Sequence, residues 1–267
     1  DILELIRLTS TDLPPQVEGR LQATLENEEP GSAARSALEA ILKNVQLARE
    51  NSTPICQDTG TPIFYVVHPA SASIVEMKKQ IRGAVEAATR QAYLRPNAVQ
   101  AVTGENSGSN LGDDYFPYIH FQQSENDEFT IELLLKGGGC ENVGAQYSLP
   151  NSELNAGRDL DGVRKCALDA VYRAQGEGCA PGFLGIAVGG DRGTSYLVSK
   201  EAFLRGLQEK NPDAQLAALE DRITSEANLL GIGPMGFGGN TTVLGTKIVS
   251  AFRHPASYFV TISYMCW

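Results

Sequence analysis

The five cysteines of this sequence are the residues best suited to metal chemistry. They stand at positions 56, 140, 166, 179 and 266. Their odd number and wide spacing favour free thiols or metal ligands over a disulfide framework. No C-x-x-C pair occurs, so the spacing supports neither a zinc ribbon nor a ferredoxin-type cluster. The cysteines therefore permit a site built from distant loops, and inert thiols remain the alternative.

The surroundings of the cysteines divide them into two kinds. Cys56 in PICQDTGTP, Cys140 in KGGGCEN and Cys179 in GEGCAPG lie in segments rich in glycine, proline and polar residues, and Cys266 ends an apolar run. Cys166 lies within the helical pattern VRKCALDAV, where a cysteine acts as a small buried hydrophobe. We therefore expect Cys166 to have a structural role.

The other reactive side chains form weaker patterns. The three histidines at 68, 120 and 254 are too far apart for a helical metal motif, and each alone is more often structural. His254 is the strongest candidate because it lies in the polar turn RHPAS. Asp58 lies two residues from Cys56, and Asp191 with Arg192 follows a strand; solvated loop charges are the alternative for all three. The absence of a G-x-S-x-G elbow disfavours a serine triad.

The segment GIGPMGFGGNTT contains a G-x-G-x-x-G pattern at Gly231, Gly233 and Gly236. A dinucleotide fingerprint follows a strand and opens a helix, whereas this one follows a helical stretch and contains Pro234. We expect instead a backbone that bends tightly or approaches something bulky, such as a cluster or a small anion.

Hydrophobic periodicity predicts the elements that must position these residues. Helices are expected over 33–50, 71–93, 159–175, 199–207 and 213–230, and strands over 63–67, FPYIHF, FTIELLLK, FLGIAVGG, VLGTKIVSAF and YFVTISYM. FPYIHF and FTIELLLK are predicted to pair as a hairpin across a polar turn. Gly176 and Gly178 are expected to close the third helix, and Pro96 places Arg95 beyond the second. The predicted fold is α/β (α+β), with small mixed or antiparallel sheets surrounded by helices and functional loops between the elements.

Composition limits the classes of partner. The 267 residues are 42% hydrophobic and 20% charged, with a formal net charge of −10 and a pI near 4.9. Such an acidic chain is poorly suited to nucleic acid. No run approaches the roughly 20 apolar residues of a membrane helix, and DILELIRLTS does not resemble a signal peptide. We expect a cytoplasmic protein forming one unit, since no linker-like stretch divides it.

Six segments together resemble the iron-sulfur-dependent class I fumarate hydratases and the related L-tartrate dehydratase. In order they are ICQDTGTPIFYV, YLRPN, LLLKGGGCEN, GCAPGFLGIAVGG, LGIGPMGFGGNTTVLGTKI and HPASYFVTISYMCW. The resemblance implies a 4Fe-4S cluster bound by Cys56, Cys179 and Cys266, and the reversible hydration of fumarate to L-malate. Three thiolates would leave one iron open to act as a Lewis acid.

The same resemblance implies roles for the residues of the substrate pocket. Gln57, Arg95 and Gly138 would bind the dicarboxylate, and Asp58 and His254 would be catalytic. The planar guanidinium of Arg95 suits a carboxylate because it donates two parallel hydrogen bonds.

Two features depart from the family pattern. Cys140 stands where many class I fumarases have serine, whereas tartrate dehydratase resembles this sequence at that position, so an L-tartrate dehydratase alpha subunit is the alternative. The chain also stops at Trp267, where the family continues into a C-terminal domain or a separate beta subunit. We therefore expect residues 1–267 to be the N-terminal, or alpha, catalytic domain of a homo-oligomer that needs that second part. A non-catalytic iron-sulfur or redox-sensing module, and less so a zinc domain, are the alternatives from other classes.

Overall fold

The computed structural model describes residues 2–267, which form two compact units. The first contains the residues up to Pro14 and Lys43–Gly138, and the second contains Pro15–Leu42 and Gly139–Trp267. The sequence predicted one unit because no linker was visible. The chain passes from one unit to the other three times, once between Pro14 and Pro15 and then within the helices Ala33–Asn51 and Gly138–Asn142.

The helices and strands follow the chain in this order. The α-helices are α1 Ile2–Thr11, α2 Pro15–Asn27, α3 Ala33–Asn51, α4 Ile74–Arg90, α5 Gly138–Asn142, α6 Leu160–Ala174, α7 Arg192–Glu201 and α8 Ala214–Asn228. Short 3-10 turns cover Ala202–Leu204 and Pro234–Gly236. The strands are β1 Thr61–His68, β2 Tyr118–Gln123, β3 Thr130–Lys136, β4 Ala145–Ser148, β5 Gly182–Val188, β6 Val243–Ser250 and β7 Phe259–Met265.

The sheet of the first unit has the order β2-β1-β3. β1 pairs in parallel with β2, with Ile63 opposite Tyr118, and antiparallel with β3, with Thr61 opposite Lys136. The predicted hairpin between β2 and β3 is therefore wrong. β1 is the most buried of the three strands and lies between β2 and β3. The connection 124–129 is long enough to cross β1 and join β2 to β3.

Helices α1 and α4 supply the rest of the first unit's core. Ile6, Ile81 and Val85 are fully buried together with Phe64 of β1. Helix α4 begins where the Ser73 hydroxyl accepts a hydrogen bond from the N–H of Glu76 at 3.4 Å. The predicted helix over 71–93 is confirmed with shorter ends.

The sheet of the second unit has the order β4-β7-β5-β6. β5 is parallel to β6 and antiparallel to β7, with Phe183 opposite Met265. Helices α6 and α8 bury their apolar faces against this sheet; the core includes Val163, Ile186, Ile223, Ile248 and Ile262. The predicted α/β class with small mixed sheets is confirmed by the two sheets.

Several boundaries differ from the prediction. Helix α7 begins at Arg192 rather than at 199, because the Asp191 carboxylate accepts hydrogen bonds from the N–H groups of Gly193 and Thr194 and caps the helix. Helix α6 ends at Ala174, and its C-cap is Gln175, which adopts a φ of +47°, rather than the predicted glycines. Helices α1 and α2 were not predicted. Within residues 2–267, no helix combines the length and apolarity needed to cross a membrane.

Candidate functional site

Cys56 lies in the exposed loop that joins α3 to β1. The loop is anchored before Cys56, where the Ile55 N–H donates to the Ser10 carbonyl at 2.9 Å and the Asn44 side chain donates to the Ile55 carbonyl at 2.7 Å. The Cys56 sulfur accepts the N–H of Asp58 at 3.4 Å. The thiol is thus held at the surface of the first unit, where it is available as a ligand.

Asp58 is fixed by two backbone donors. Its Oδ2 accepts the N–H of Gly138 at 2.7 Å, and its Oδ1 accepts the N–H of Gly60 at 3.0 Å. Gly60 has a φ of +73°, and an added Cβ would lie 2.7 Å from the backbone of Lys136. Only glycine therefore permits this close approach, which brings the predicted site residues Asp58 and Gly138 together.

Arg95 faces the same open cleft as Asp58. The cleft has a volume of about 500 Å³ and is lined by Gln57, Asp58, Arg95, Pro96, Asn97 and Asn106. Within residues 2–267, the guanidinium of Arg95 makes no hydrogen bond or ion pair. A cation left without a partner in an otherwise polar cleft is a binding group for an anion.

The backbone around Arg95 is held by residues that the sequence prediction missed. Arg95 donates its N–H to the Thr59 hydroxyl at 3.0 Å, and Asn97 donates its side chain to the same oxygen at 3.3 Å. The Asn110 side chain, which is fully buried, accepts the N–H of Asn97 and donates to the Arg95 carbonyl. Asn97 belongs to the YLRPN segment and Thr59 to the CQDTG segment, so these two motifs carried the sequence signal for this network.

His254 lies in the second unit, in the exposed loop between β6 and β7. Its Nδ1 accepts the N–H of Ala256 at 3.1 Å, which leaves Nε2 as the donor of the neutral ring. Arg253 stabilises the loop by donating to the carbonyls of His254, Pro255 and Ser257. The loop therefore presents an imidazole N–H in a fixed orientation.

Cys179 lies in the strained loop between α6 and β5. Its φ is +56°, a conformation that non-glycine residues seldom adopt and that often marks a functional position. The N–H of Met235 donates to the Ala180 carbonyl at 2.7 Å. An added Cβ on Gly176 would lie 2.7 Å from the Met235 carbonyl. The glycine-rich segment thus packs on the Cys179 loop, as its predicted tight bending implied.

Cys140 and Cys266 pack in the same core as one buried tyrosine, Tyr264. Burial first, and then the thiols of Cys140, Cys266 and Cys179, raise the pKa of Tyr264 well above its ordinary value. Cys140 donates its S–H to the Gly178 carbonyl at 3.3 Å. Cys140 therefore contacts the loop that contains the predicted ligand Cys179.

Cys166 behaves as expected for a structural residue. It is fully buried in α6, and burial raises the pKa of its thiol to about 12. A thiol that resists ionisation is a poor metal ligand. The predicted structural role of Cys166 is confirmed by this burial.

The donor set is compatible with an iron-sulfur cluster. Cys56, Cys179 and Cys266 are exposed or half-buried, whereas Cys140 and Cys166 are buried. Thiolates are the usual ligands of such clusters, and an exposed or half-buried thiol is accessible to an inorganic centre. Among residues 2–267, no group of three or more His, Cys, Asp or Glu side chains lies close enough together to hold a metal ion by itself.

Comparison with known proteins gives one consistent result. Over residues 1–267 the chain matches the family described as Fumarate hydratase (Fumerase). It is 48% identical over 268 residues to the "Putative fumarate hydratase class I" of Geobacillus stearothermophilus, covering 99% of this chain and 52% of that protein. It is 33% identical over 262 residues to the L(+)-tartrate dehydratase subunit alpha of Escherichia coli, covering 97% of this chain and 84% of that subunit. The chain thus spans about half the length of the Geobacillus protein.

Proposed function

Because this chain belongs to the fumarate hydratase (Fumerase) family, we propose that it forms the cluster-binding part of a hydro-lyase that adds water reversibly to fumarate and yields L-malate. The observation that carries this proposal is the cleft of the first unit. There the unpartnered guanidinium of Arg95 and the fixed carboxylate of Asp58 line one cavity. A cation beside an oriented acceptor suits a substrate that has both carboxylates and a hydroxyl.

Cys56, Cys179 and Cys266 would hold a 4Fe-4S cluster. When bound, a cluster with three thiolate ligands supplies an open iron that acts as a Lewis acid toward a hydroxyl or carboxylate oxygen. The support for this ligand set is that these three thiols are the exposed or half-buried ones. The odd number and wide spacing of the cysteines also favour a reducing compartment such as the cytoplasm.

The chain's own side chains would orient the substrate. Arg95 binds one carboxylate with its planar fork, and the Gln57 amide donates a further hydrogen bond. Gly138 lines the substrate site and holds Asp58 through its N–H. Since an ionised carboxylate only accepts hydrogen bonds, Asp58 orients the hydroxyl that is added or removed.

His254 would act on the leaving oxygen. Its Nδ1 is occupied by the N–H of Ala256, so Nε2–H would donate a hydrogen bond to the leaving oxygen during dehydration and to the entering water during hydration. That hydrogen bond would stabilise the negative charge that develops on the oxygen.

A second substrate, L-tartrate, is favoured by the similarity to the tartrate dehydratase alpha subunit. Cys140 is only 3% exposed and donates to the Gly178 carbonyl, so it would affect substrate choice through the loop rather than by contact. Tartrate has one more hydroxyl than malate, and a site built for malate leaves that hydroxyl without a partner.

The active assembly would include a second polypeptide part. This chain has a formal net charge of −10, which repels a dicarboxylate dianion. We propose that a C-terminal domain or beta subunit supplies further cationic groups, and that the assembled enzyme is a homo-oligomer.

The proposal is tested with the complete protein that contains this chain, purified without oxygen and loaded with iron and sulfide. Initial rates with fumarate, L-malate and L-tartrate are compared under the same conditions. The proposal expects the highest kcat/KM with fumarate and L-malate. A preference for L-tartrate would favour the second candidate, and no turnover of any of the three by the loaded enzyme would contradict both.

A further inference from the structure

The hydroxyl of Tyr264 is the most unusual polar group of the second unit. Tyr264 is only 2% exposed, and its oxygen has no hydrogen-bond partner within residues 2–267. The N–H of Gly182 faces this oxygen and lowers the pKa of Tyr264 slightly, but Gly182 donates its hydrogen bond to the Thr242 carbonyl at 3.2 Å. Since an N–H can only donate, the proton of the Tyr264 hydroxyl is left without an acceptor.

The ring of Tyr264 is held in place by two glycines that flank Cys179. An added Cβ on Gly178 would lie 2.7 Å from Cδ1 of the ring, and one on Gly182 would lie 2.7 Å from Cζ. The phenol therefore fills the space under the loop 178–182, and any larger residue at either glycine would displace it. Buried polar groups are normally paired, so an unsatisfied donor fixed in this way needs an explanation.

The same ring is adjacent to the other ligand of the second unit. Tyr264 lies in β7, and Cys266, the residue after the strand ends, packs against the same core cluster as Tyr264. Cys140 belongs to that cluster and donates its S–H to the carbonyl of Gly178, the glycine that contacts the ring and precedes Cys179. This neighbourhood therefore offers sulfur atoms as acceptors.

We propose that Tyr264 is a positioning residue that donates its O–H to a sulfur of the bound cluster, either a ligand thiolate or an inorganic sulfide. The inference rests on the proposed cluster and concerns a group with no assigned role. Hydrogen bonds to sulfur draw electron density away from the cluster and raise its reduction potential. Tyr264 would thereby tune the potential and slow the loss of the cluster without contacting the substrate.

The test compares the wild-type complete protein with Tyr264→Phe and with the control Tyr258→Phe, each loaded with iron and sulfide under nitrogen. Tyr258 is a buried tyrosine of the same core, 9% exposed, with its ring against the Arg253 guanidinium. We expect Tyr264→Phe to bind the same amount of iron, to have a lower midpoint potential by redox titration followed by electron paramagnetic resonance, and to lose its cluster several-fold faster in air. Tyr258→Phe should match the wild type in all three.

The cluster-free protein gives an independent reading. If the hydroxyl has no acceptor there, its removal leaves the thermal midpoint unchanged or raised, whereas loss of an ordinary structural hydrogen bond would lower it. A lowered midpoint in the cluster-free Tyr264→Phe variant would therefore overturn the inference. Identical potentials and loss rates in loaded wild type and Tyr264→Phe would also overturn it, while leaving the proposed cluster intact.

A fluorinated side chain covers the case in which Tyr264→Phe does not fold. Site-specific replacement of Tyr264 by 3-fluorotyrosine keeps the ring and the hydroxyl but makes the hydroxyl a stronger donor. The inference expects a higher midpoint potential than in the wild type, and an unchanged or lower one would contradict it. Failure of the wild-type protein itself to bind a cluster would refute the proposed function as well.

Discussion

The polar side chains around Cys56 face an open cleft. Cys179 and Cys266, by contrast, lie beside apolar core packing. In the first unit Gln57, Asp58 and Arg95 are exposed, and hydrogen bonds to backbone groups hold Asp58 in place. In the second unit the same type of ligand, a cysteine, is packed beside Tyr264, which is 2% exposed. Under the proposed function, the first region would recognise an anion and the second would retain the sulfur-rich cluster.

Replacing the unpartnered cation of the first region should have the largest effect on turnover. In Arg95→Ala the carboxylate of the substrate loses two charge-assisted hydrogen bonds, so kcat/KM should fall about 1000-fold. The control is Arg90→Ala at the end of α4, where the arginine is exposed and pairs with Glu86 at 3.7 Å. Steady-state kinetics of the complete, loaded enzyme provide the measurement, and equal rates for the two variants would remove Arg95 from the site.

Neutralising the fixed carboxylate should have a smaller effect. Asp58→Asn keeps an oxygen for the Gly138 N–H but loses the charge and the hydrogen bond from the Gly60 N–H, so kcat should fall about 100-fold with iron content unchanged. Asp114→Asn is the matched control, since that carboxylate is exposed and paired with Lys78. Full turnover by Asp58→Asn with an intact cluster would refute a catalytic role for Asp58.

In the second region a buried thiol outside the ligand set should affect stability only. Cys166→Ser places a hydroxyl in the apolar core of α6 and should lower the free energy of unfolding by about 1–2 kcal/mol. Iron content and kcat should not change. Urea denaturation followed by circular dichroism, together with iron analysis, measures both quantities, and a loss of iron would show that Cys166 had been assigned wrongly.

The smallest effect concerns the cap of helix α7. Hydrogen bonds from the Thr194 hydroxyl and from the N–H groups of Thr194 and Gly193 hold the pKa of Asp191 below its usual value of 3.8. Because the folded-state pKa is lowered, this stabilisation is complete above the unfolded-state pKa and is lost as the pH falls through the folded-state value. Asp191→Asn should therefore lower the thermal midpoint slightly at pH 7 and not at a pH below both values. An equal loss at both pH values would contradict this linkage.

Local patterns in the sequence were enough to predict some elements and not others. Helices α3, α4, α6 and α8 have apolar residues at helical spacing, and the strands β5, β6 and β7 are apolar runs, so periodicity predicted them. The order of strands in a sheet does not depend on local sequence. β1 separates β2 from β3 because it is the most buried strand, and the turn residues between β2 and β3 do not reveal this order. Helix α7 starts within RGTS, where weak helix formers concealed the cap at Asp191.

The site shows the same limit. The CQDTG and YLRPN segments predicted Asp58 and Arg95, which the structure places in one cleft. Thr59 belongs to CQDTG, but its hydrogen bond to the Arg95 N–H, like that of Asn110 to the Arg95 carbonyl, joins residues far apart in the chain, and no motif encodes that pairing. The role of Tyr264 likewise depends on contacts with Gly178 and Gly182, so only the folded structure reveals it.

The most direct test of the account is the iron and acid-labile sulfide content of five single Cys→Ser variants after anaerobic reconstitution of the complete protein. We predict that the variants at Cys56, Cys179 and Cys266 lose the cluster and its absorbance, while those at Cys140 and Cys166 keep both. Retention of a full cluster by a variant at any of the first three positions would contradict the proposed ligand set.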